Sequence, residues 1–500
     1  MIKNNLGLML FDKEARTKIQ LISQFDRTKQ WWTMEELIEE TGMTKRTIEK
    51  YLLLIQEELT KFDPTGQSQL VYDKRLGCSL HFKDSGEIES FLLYIMQNTL
   101  SYRLTYEIFF ENIDSAVQFA QENYTSESTI WRIIRDFREI LQHYDLDIQK
   151  GSFQLTGNEY QIRKFAHSTI WNLFKGKQWP FSQVSVHRVD EIINHVEAFF
   201  KVELSALKRQ SMAYFVAICL TRNQNGHSVS LSREVRENTE NNEFFQEFFE
   251  YLQEPFEGSG WTKEEAAYMF SAALTVDDYY SNLEIERRIY QFHETNNTAL
   301  YQSIVSLRKA AKEHLDNIEL SEGEVKYLTA YAFSSHMFCQ MFRGFEFSNT
   351  RYNYWNRIQL KYPVLINELT RLIDSLAEQT KDDIFLQKNF LIPRYILMYA
   401  FIGRLPQLEK KITIVLITNL PILEEERVII RLGEAYKNDY NLEIKRESEI
   451  QGSEYQLVVS TSKVPQEKIG KVPNLIFNTE LTKVDYAELD KVLWKIVQER

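Results

Sequence analysis

The sequence predicts a mainly α-helical, multidomain protein that opens on two winged helix-turn-helix units and closes on a small α/β domain. Three observations carry this expectation. The 500 residues contain only 17 Gly and 9 Pro, roughly half of average usage, which favours long uninterrupted helices. A capped, glycine-broken helix pair stands at Thr33–Leu59. Past Pro406 the apolar pattern changes from a period of about 3.6 residues to short continuous runs, as buried strands show.

Length and composition set the frame. Five hundred residues exceed one ordinary domain, and about 150 residues per domain suggests three or four. With 43% hydrophobic and 26% charged residues the chain can fill several cores, so disorder is excluded as its main state. Cys78, Cys219 and Cys339 are distant and odd in number, which excludes a disulfide framework and suits a reducing cytosol. Met1–Leu10 has no cleavage-site pattern. The longest apolar stretch, Phe390–Leu405, carries Arg394 and Arg404 and is too short for a bilayer. A cytoplasmic protein without a membrane partner is expected.

In the first helix pair, Thr33 and Glu36 form a capping-box pattern, with Leu37 and Ile38 on the apolar face. Gly42 supplies the positive φ of a sharp turn. Thr44 caps a second helix whose apolar residues Ile48, Leu52, Ile55 and Leu59 fall at helical spacing. Ala15–Phe25 forms a supporting helix, with Ile19, Ile22 and Phe25 inward. Gln69–Phe82 then forms a hairpin with Lys74 and Arg75 at its tip, completing a winged helix over residues 1–85.

A second copy follows 82 residues later, over residues 86–177. Ser126–Ile130 aligns with Thr44–Ile48, and Phe119, Ile134 and Phe137 with Leu37, Leu52 and Ile55. Leu146–Thr156 supplies its hairpin, turning at Lys150 and Gly151, while Tyr124 replaces the glycine of the helix turn. Residues 178–290 and 291–406 form two helical bundles. The first has runs at Val184–Phe200, Ala206–Arg222, Asn242–Leu252 and Thr262–Tyr280. The second has runs at Thr298–Leu315, Glu322–Arg343, Tyr362–Leu376 and Gln387–Gly403. Residues 407–500 alternate strands at Lys411–Thr418, Leu442–Lys445, Tyr455–Ser460 and Asn474–Phe477 with helices at Leu423–Lys437 and Lys483–Gln498.

A net charge of −12 gives no general attraction for nucleic acid, so local chemistry must supply it. Residues 1–85 hold 13 cationic and 13 anionic side chains, making them less acidic than the rest. Burying Ile48, Leu52 and Ile55 leaves Lys45, Arg46, Thr47, Glu49 and Lys50 on the opposite face, with the cap residue Thr44 a further DNA-binding candidate. Cations there suit guanine edges in a major groove, with Lys74 and Arg75 near phosphates. The alternative is an ordinary solvated charged face. In the second copy Ser126, Ser128, Thr129, Arg132 and Arg135 occupy the same places, with Trp131 in the middle of the presented face. Its alternative is a degenerate repeat kept for packing.

The pairs Cys78/His81 and His336/Cys339 are too few for a zinc site, and no P-loop, GxGxxG, GxSxG or HExxH occurs. No metal, cofactor or catalysis is expected.

In order and content the chain resembles the Mga/AtxA-type virulence regulators of Gram-positive bacteria. The resemblance implies that the bundles are phosphotransferase-system regulation domains (PRDs) and that the last module is similar to an EIIB domain. It implies histidine phosphorylation by the phosphocarrier protein of that sugar phosphotransferase system. Here Gln210 and Ala272 stand where the first bundle would carry histidines, whereas His227 and His336 are retained as phosphorylation candidates. Phosphorylation would add about two negative charges and bias packing or dimerisation. His187, His195, His293 and His314 are expected at the surface. The loop after the first EIIB-like strand, Thr418–Pro421, lacks the phosphate-carrying cysteine, so that module is expected to be catalytically silent. The implied function is a dimeric or higher-order transcription regulator, an activator, with promoter DNA and RNA polymerase as partners. An RNA-binding antiterminator is the alternative from another class, disfavoured because such proteins open on a β-rich domain. A phosphotransferase enzyme is a third, disfavoured by the missing cysteine.

Overall fold

The computed structural model describes residues 11–25, 31–83, 87–314, 320–346, 358, 360–403, 405–450, 454–469, 472–478 and 480–499. It is mostly helical, with a helix-turn-helix region and a small C-terminal sheet of parallel strands. The chain divides into two compact units, Met1–Tyr301 with Met337–Asn349, and Gln302–His336 with Thr350–Arg500.

The first unit begins with α1, Lys13–Phe25, which buries Ile19, Ile22 and Phe25 as its spacing predicts. Helix α2, Met34–Thr41, starts in a reciprocal capping box: Glu36 N–H donates to Thr33 Oγ1 and Thr33 N–H to the Glu36 carboxylate. Leu37 is buried, but Ile38 lies about 100° further round the helix and is exposed, against expectation. Gly42 ends α2 at φ 67. Helix α3, Lys45–Phe62, buries Ile48, Leu52, Ile55 and Leu59. Strands β1, Gln69–Asp73, and β2, Gly77–His81, pair antiparallel. Trp32 joins β2 through reciprocal backbone bonds to Cys78 of 2.9 and 2.8 Å.

Helices α4, Glu87–Gln97, and α5, Leu100–Phe110, lead into α6, Ala116–Glu122, and α7, Glu127–Gln142. Phe119, Ile130, Ile134 and Phe137 are buried, as the repeat predicts. Short strands β3, Asp147–Ile148, and β4, Leu155–Thr156, close the second hairpin. Helix α8, Glu159–Phe174, packs along α10, Ala206–Gln224, which follows α9, Val186–Phe200.

The remaining helices of this unit are α11, Arg233–Thr239; α12, Glu243–Tyr251; α13, Lys263–Ala273; and α14, Leu283–Thr295. Two differences from the sequence expectation stand out. The run Thr262–Tyr280 is not one helix: α13 stops at Ala273 and a 3-10 turn covers Asp277–Tyr280. Helix α14 runs through the boundary placed at 290/291, so no linker lies there. Its inner stripe is Ile285, Ile289 and His293, each one helical turn apart. His293, expected at the surface, is buried and bonded to Thr298 Oγ1 at 2.9 Å. His187 is exposed, and the side chain of His314 lies outside the described residues.

Helices α15, Ala299–His314, and α16, Glu322–Met341, carry the chain into and out of the second unit. There α17, Pro363–Thr380, packs against α18, Lys388–Phe401. The C-terminal domain alternates β5, Ile412–Ile417; α19, Ile422–Tyr436; β6, Leu442–Arg446; β7, Leu457–Ser460; α20, Gln466–Ile469; β8, Asn474–Ile476; and α21, Lys483–Gln498. All three strand pairings are parallel, in the order β6-β5-β7-β8. Such a sheet needs helical crossovers that cover it, and Leu432, Leu489 and Leu493 do so over Ile412, Ile414 and Leu416.

Candidate nucleic-acid interface

Helix α3 turns Lys45, Arg46, Glu49 and Lys50 to solvent, opposite its buried stripe. Lys45 pairs loosely with Glu49, Nζ to Oε1 at 3.9 Å, and Lys50 Nζ lies 5.3 Å from the centre of the Tyr51 ring. Exposed ion pairs contribute little, so these contacts oppose an exchange for phosphate only weakly. The hydroxyls have another task. Thr44 Oγ1 accepts from Thr47 N–H at 3.3 Å and lies 2.8 Å from Thr47 Oγ1, so both threonines build the helix cap.

Lys74 and Arg75 are exposed at the tip between β1 and β2. Asp73 Oδ1 accepts from the N–H groups of Arg75 and Leu76 at 2.7 and 2.9 Å, which ties the tip and lowers the Asp73 carboxyl pKa. Gly77 follows at φ 97, against the Trp32 backbone.

The second face is built alike. Ser126 Oγ accepts from Thr129 N–H at 3.2 Å and lies 2.9 and 2.8 Å from the hydroxyls of Ser128 and Thr129. Ser128, Trp131, Arg132 and Arg135 are exposed on α7, and Arg135 donates to Asp136. The turn before this helix takes φ 51 at Tyr124, the left-handed backbone that Gly42 supplies in the first copy. Sequence reasoning did not find Phe153, which sits under Trp131 with ring centroids 5.7 Å apart. No spacing rule pairs residues of a helix and a hairpin 22 positions apart.

The two candidate histidines differ sharply. His227 is part-exposed, with Nε2 2.7 Å from Glu111 Oε1. Glu111 also receives Arg222 at 2.6 Å, and Arg222 in turn binds Glu159. Arg163, fully buried, bonds to Glu159, Glu265, Asn223 and the His227 carbonyl. Three carboxylates and two guanidinium groups thus converge from α8, α10, α13 and the residue after α5.

His336 is buried in the second unit. Its Nδ1 lies 2.8 Å from Ser303 Oγ and its Nε2 2.7 Å from Tyr395 Oη, so both nitrogens are engaged. Burial pulls the imidazole pKa down to about 3, and that of His293 to about 4. The fold therefore selects neutral rings. Their stabilisation is complete above the unfolded value of about 6.5 and is lost as pH falls toward 4 and 3. Within that window each ring costs up to about 1.4 kcal/mol per pH unit. We expect thermal midpoints to drop between pH 6.5 and 4.5, and His336→Gln, which cannot protonate, to flatten the drop. Parallel curves for both proteins would reject this assignment.

Among the described residues no group of three or more His, Cys, Asp or Glu side chains could hold a metal ion. Nor is any described helix long and apolar enough to cross a membrane.

Capped helix, tight turn, cation-bearing second helix and hairpin define a helix-turn-helix protein. Residues 84–168, the second copy, match the Mga helix-turn-helix domain family. The chain is also similar to the capsule synthesis positive regulator AcpA of Bacillus anthracis, at 20% identity over 48% of each chain. It is 23% identical to the anthrax toxin expression trans-acting positive regulator of that organism, over 44% of each. A third relative there, the capsule synthesis positive regulator AcpB, is 19% identical over 63% of this chain and 64% of its own. The chain spans about half the length of the first two relatives. The resemblance to Mga/AtxA-type regulators is borne out by these matches.

Proposed function

We propose that this chain is a DNA-binding, positively acting transcription regulator that grips duplex promoter DNA through two N-terminal winged helices, over residues 1–85 and 86–177. The observation that carries the reading is the exposed row Lys45, Arg46 and Lys50 on α3, together with the exposed Lys74 and Arg75 of the hairpin tip. The row Ser128, Arg132 and Arg135 on α7 repeats it. The positive-regulator names of the relatives support it.

Beyond the heads, the reading has PRD-like bundles up to residue 406, an EIIB-like module over 407–500, self-association, and signals from a phosphotransferase-system phosphocarrier. Phosphorylation of His227 would set a dianion against Glu111 and oppose the contact they now make. Phosphorylation of His336 would first require its ring to leave Ser303 and Tyr395.

The test is anisotropy titration of duplex DNA with the full chain and with Arg46→Ala and Arg132→Ala. Each variant is expected to lose about 1–3 kcal/mol of binding. Wild-type affinity should fall steeply with salt as counterions are released. A salt-independent affinity rejects the reading.

A further inference from the structure

We infer that Trp131 is a preorganised reader of thymine, its indole meeting the 5-methyl group in the major groove. The inference rests on the proposed DNA-binding reading and adds a base preference to it.

Four observations converge on this side chain. First, Ser128, Trp131, Arg132 and Arg135 are spaced three, four and seven residues along one face of α7, the pattern with which a recognition helix addresses successive base edges. Second, Trp131 stays 42% exposed although it is the largest apolar side chain on that face. Third, its single polar atom is already engaged: Nε1 donates to Glu127 Oε1 at 2.9 Å. Fourth, the ring is braced from below by Phe153, at 5.7 Å and 34° between planes.

The brace has a conformational cost. Phe153 is buried but holds φ 55, a left-handed conformation that bulky residues rarely adopt. Such strain persists where surrounding structure imposes it, and it clusters at sites that bind. Gly151, at φ 92, makes the turn that aims Phe153 at α7.

The chemistry then selects the ligand. With Nε1 engaged, the indole offers only apolar surface. Across the four bases, the apolar feature of the major-groove edge is the thymine C5-methyl; the rest of the edge pattern is donors and acceptors. Arg132 and Arg135 flank the ring with the charge that holds a duplex close. A ring held by a hydrogen bond and a tilted aromatic neighbour loses little further freedom on contact.

The test uses the full chain and a 30-bp duplex enriched from a random pool at one salt concentration. The same duplex with uracil for every thymine lacks only the methyl groups. Wild type should bind it more weakly, by about 4-fold for each methyl in contact. Trp131→Ala should bind both duplexes equally, and Trp131→Phe should keep part of the preference. Single thymine-to-uracil exchanges with the wild-type chain need no variant and should locate the contacted position. Equal wild-type affinity for both duplexes overturns the inference, as does full thymine preference in Trp131→Ala. Failure to enrich any duplex overturns the proposed function itself.

Discussion

Arg163→Ala should lower the melting temperature of this protein by roughly 10 °C. Arg163 has no exposed surface, and its guanidinium bridges Glu159 and Glu265, with Nη1 2.5 Å from Glu265 Oε2. Removing it leaves the nearly buried Glu265 carboxylate facing a cavity without its guanidinium partner, while Glu159 keeps Arg222. Breaking a buried pair from one side costs about 3–5 kcal/mol, because the surviving charge loses both water and partner. At about 2–4 °C per kcal/mol for a unit of this size, the loss is readily seen in a thermal melt. Replacing Arg163 and Glu265 together by Met should recover much of it, since no unpaired charge then remains at that end. A single-variant shift below about 2 °C would mean that water enters and solvates the carboxylate, and the network would then carry no such weight. Because Glu111, Glu159 and Arg163 lie in or beside the second helix-turn-helix copy and Arg222 and Glu265 on α10 and α13, the same variant should loosen that copy from the helices behind it. Faster amide exchange in α8 would report this.

Gly77→Ala should disable the first hairpin while leaving the second copy intact. A Cβ at Gly77 would stand 2.0 Å from the Trp32 carbonyl oxygen and 2.8 Å from Thr33 Cα, both backbone atoms that cannot swing aside. The φ of 97 adds conformational strain. Together these are worth on the order of 3 kcal/mol. Relief would come by parting β2 from Trp32, which would displace Lys74 and Arg75 and disturb the capping box that begins at Thr33. Gly66→Ala separates the causes: φ there is 72, but the space is open, so only the strain of about 1 kcal/mol applies. Amide exchange across residues 69–81 should rise in Gly77→Ala and hardly change in Gly66→Ala. Equal behaviour of the two variants would show that the close approach to Trp32 does not matter.

Elements governed by short-range interactions were legible before any coordinates. Thr33 and Glu36 cap one another across three residues, Gly42 turns the chain by itself, and β5 is an apolar run in its own right. The last helix, Lys483–Gln498, has the limits its pattern predicts. Helix α14 is not legible in the apolar spacing, although Asn282 caps it through Glu284 and Ile285 N–H groups. Its buried residues include Glu286 and His293, residue types that periodicity assigns to solvent. The candidate interface was legible for the same reason as the caps, since a face opposite a buried stripe follows from helical geometry alone. The task of its hydroxyls was not, because Thr44, Thr47, Ser126 and Thr129 suit a cap and a phosphate contact equally well.

By itself the sequence determined the helices, the turns, the repeat and the cation-bearing faces, since each depends on residues within a few positions of one another. Only the tertiary structure decided which polar side chains are withdrawn from water. It buried His336 between Ser303 and Tyr395, gathered Glu111, Glu159, Arg163, Arg222 and Glu265 from four segments, and braced Trp131 on Phe153. Burial and partner choice depend on which distant segments the packed core brings together, and no local periodicity encodes that.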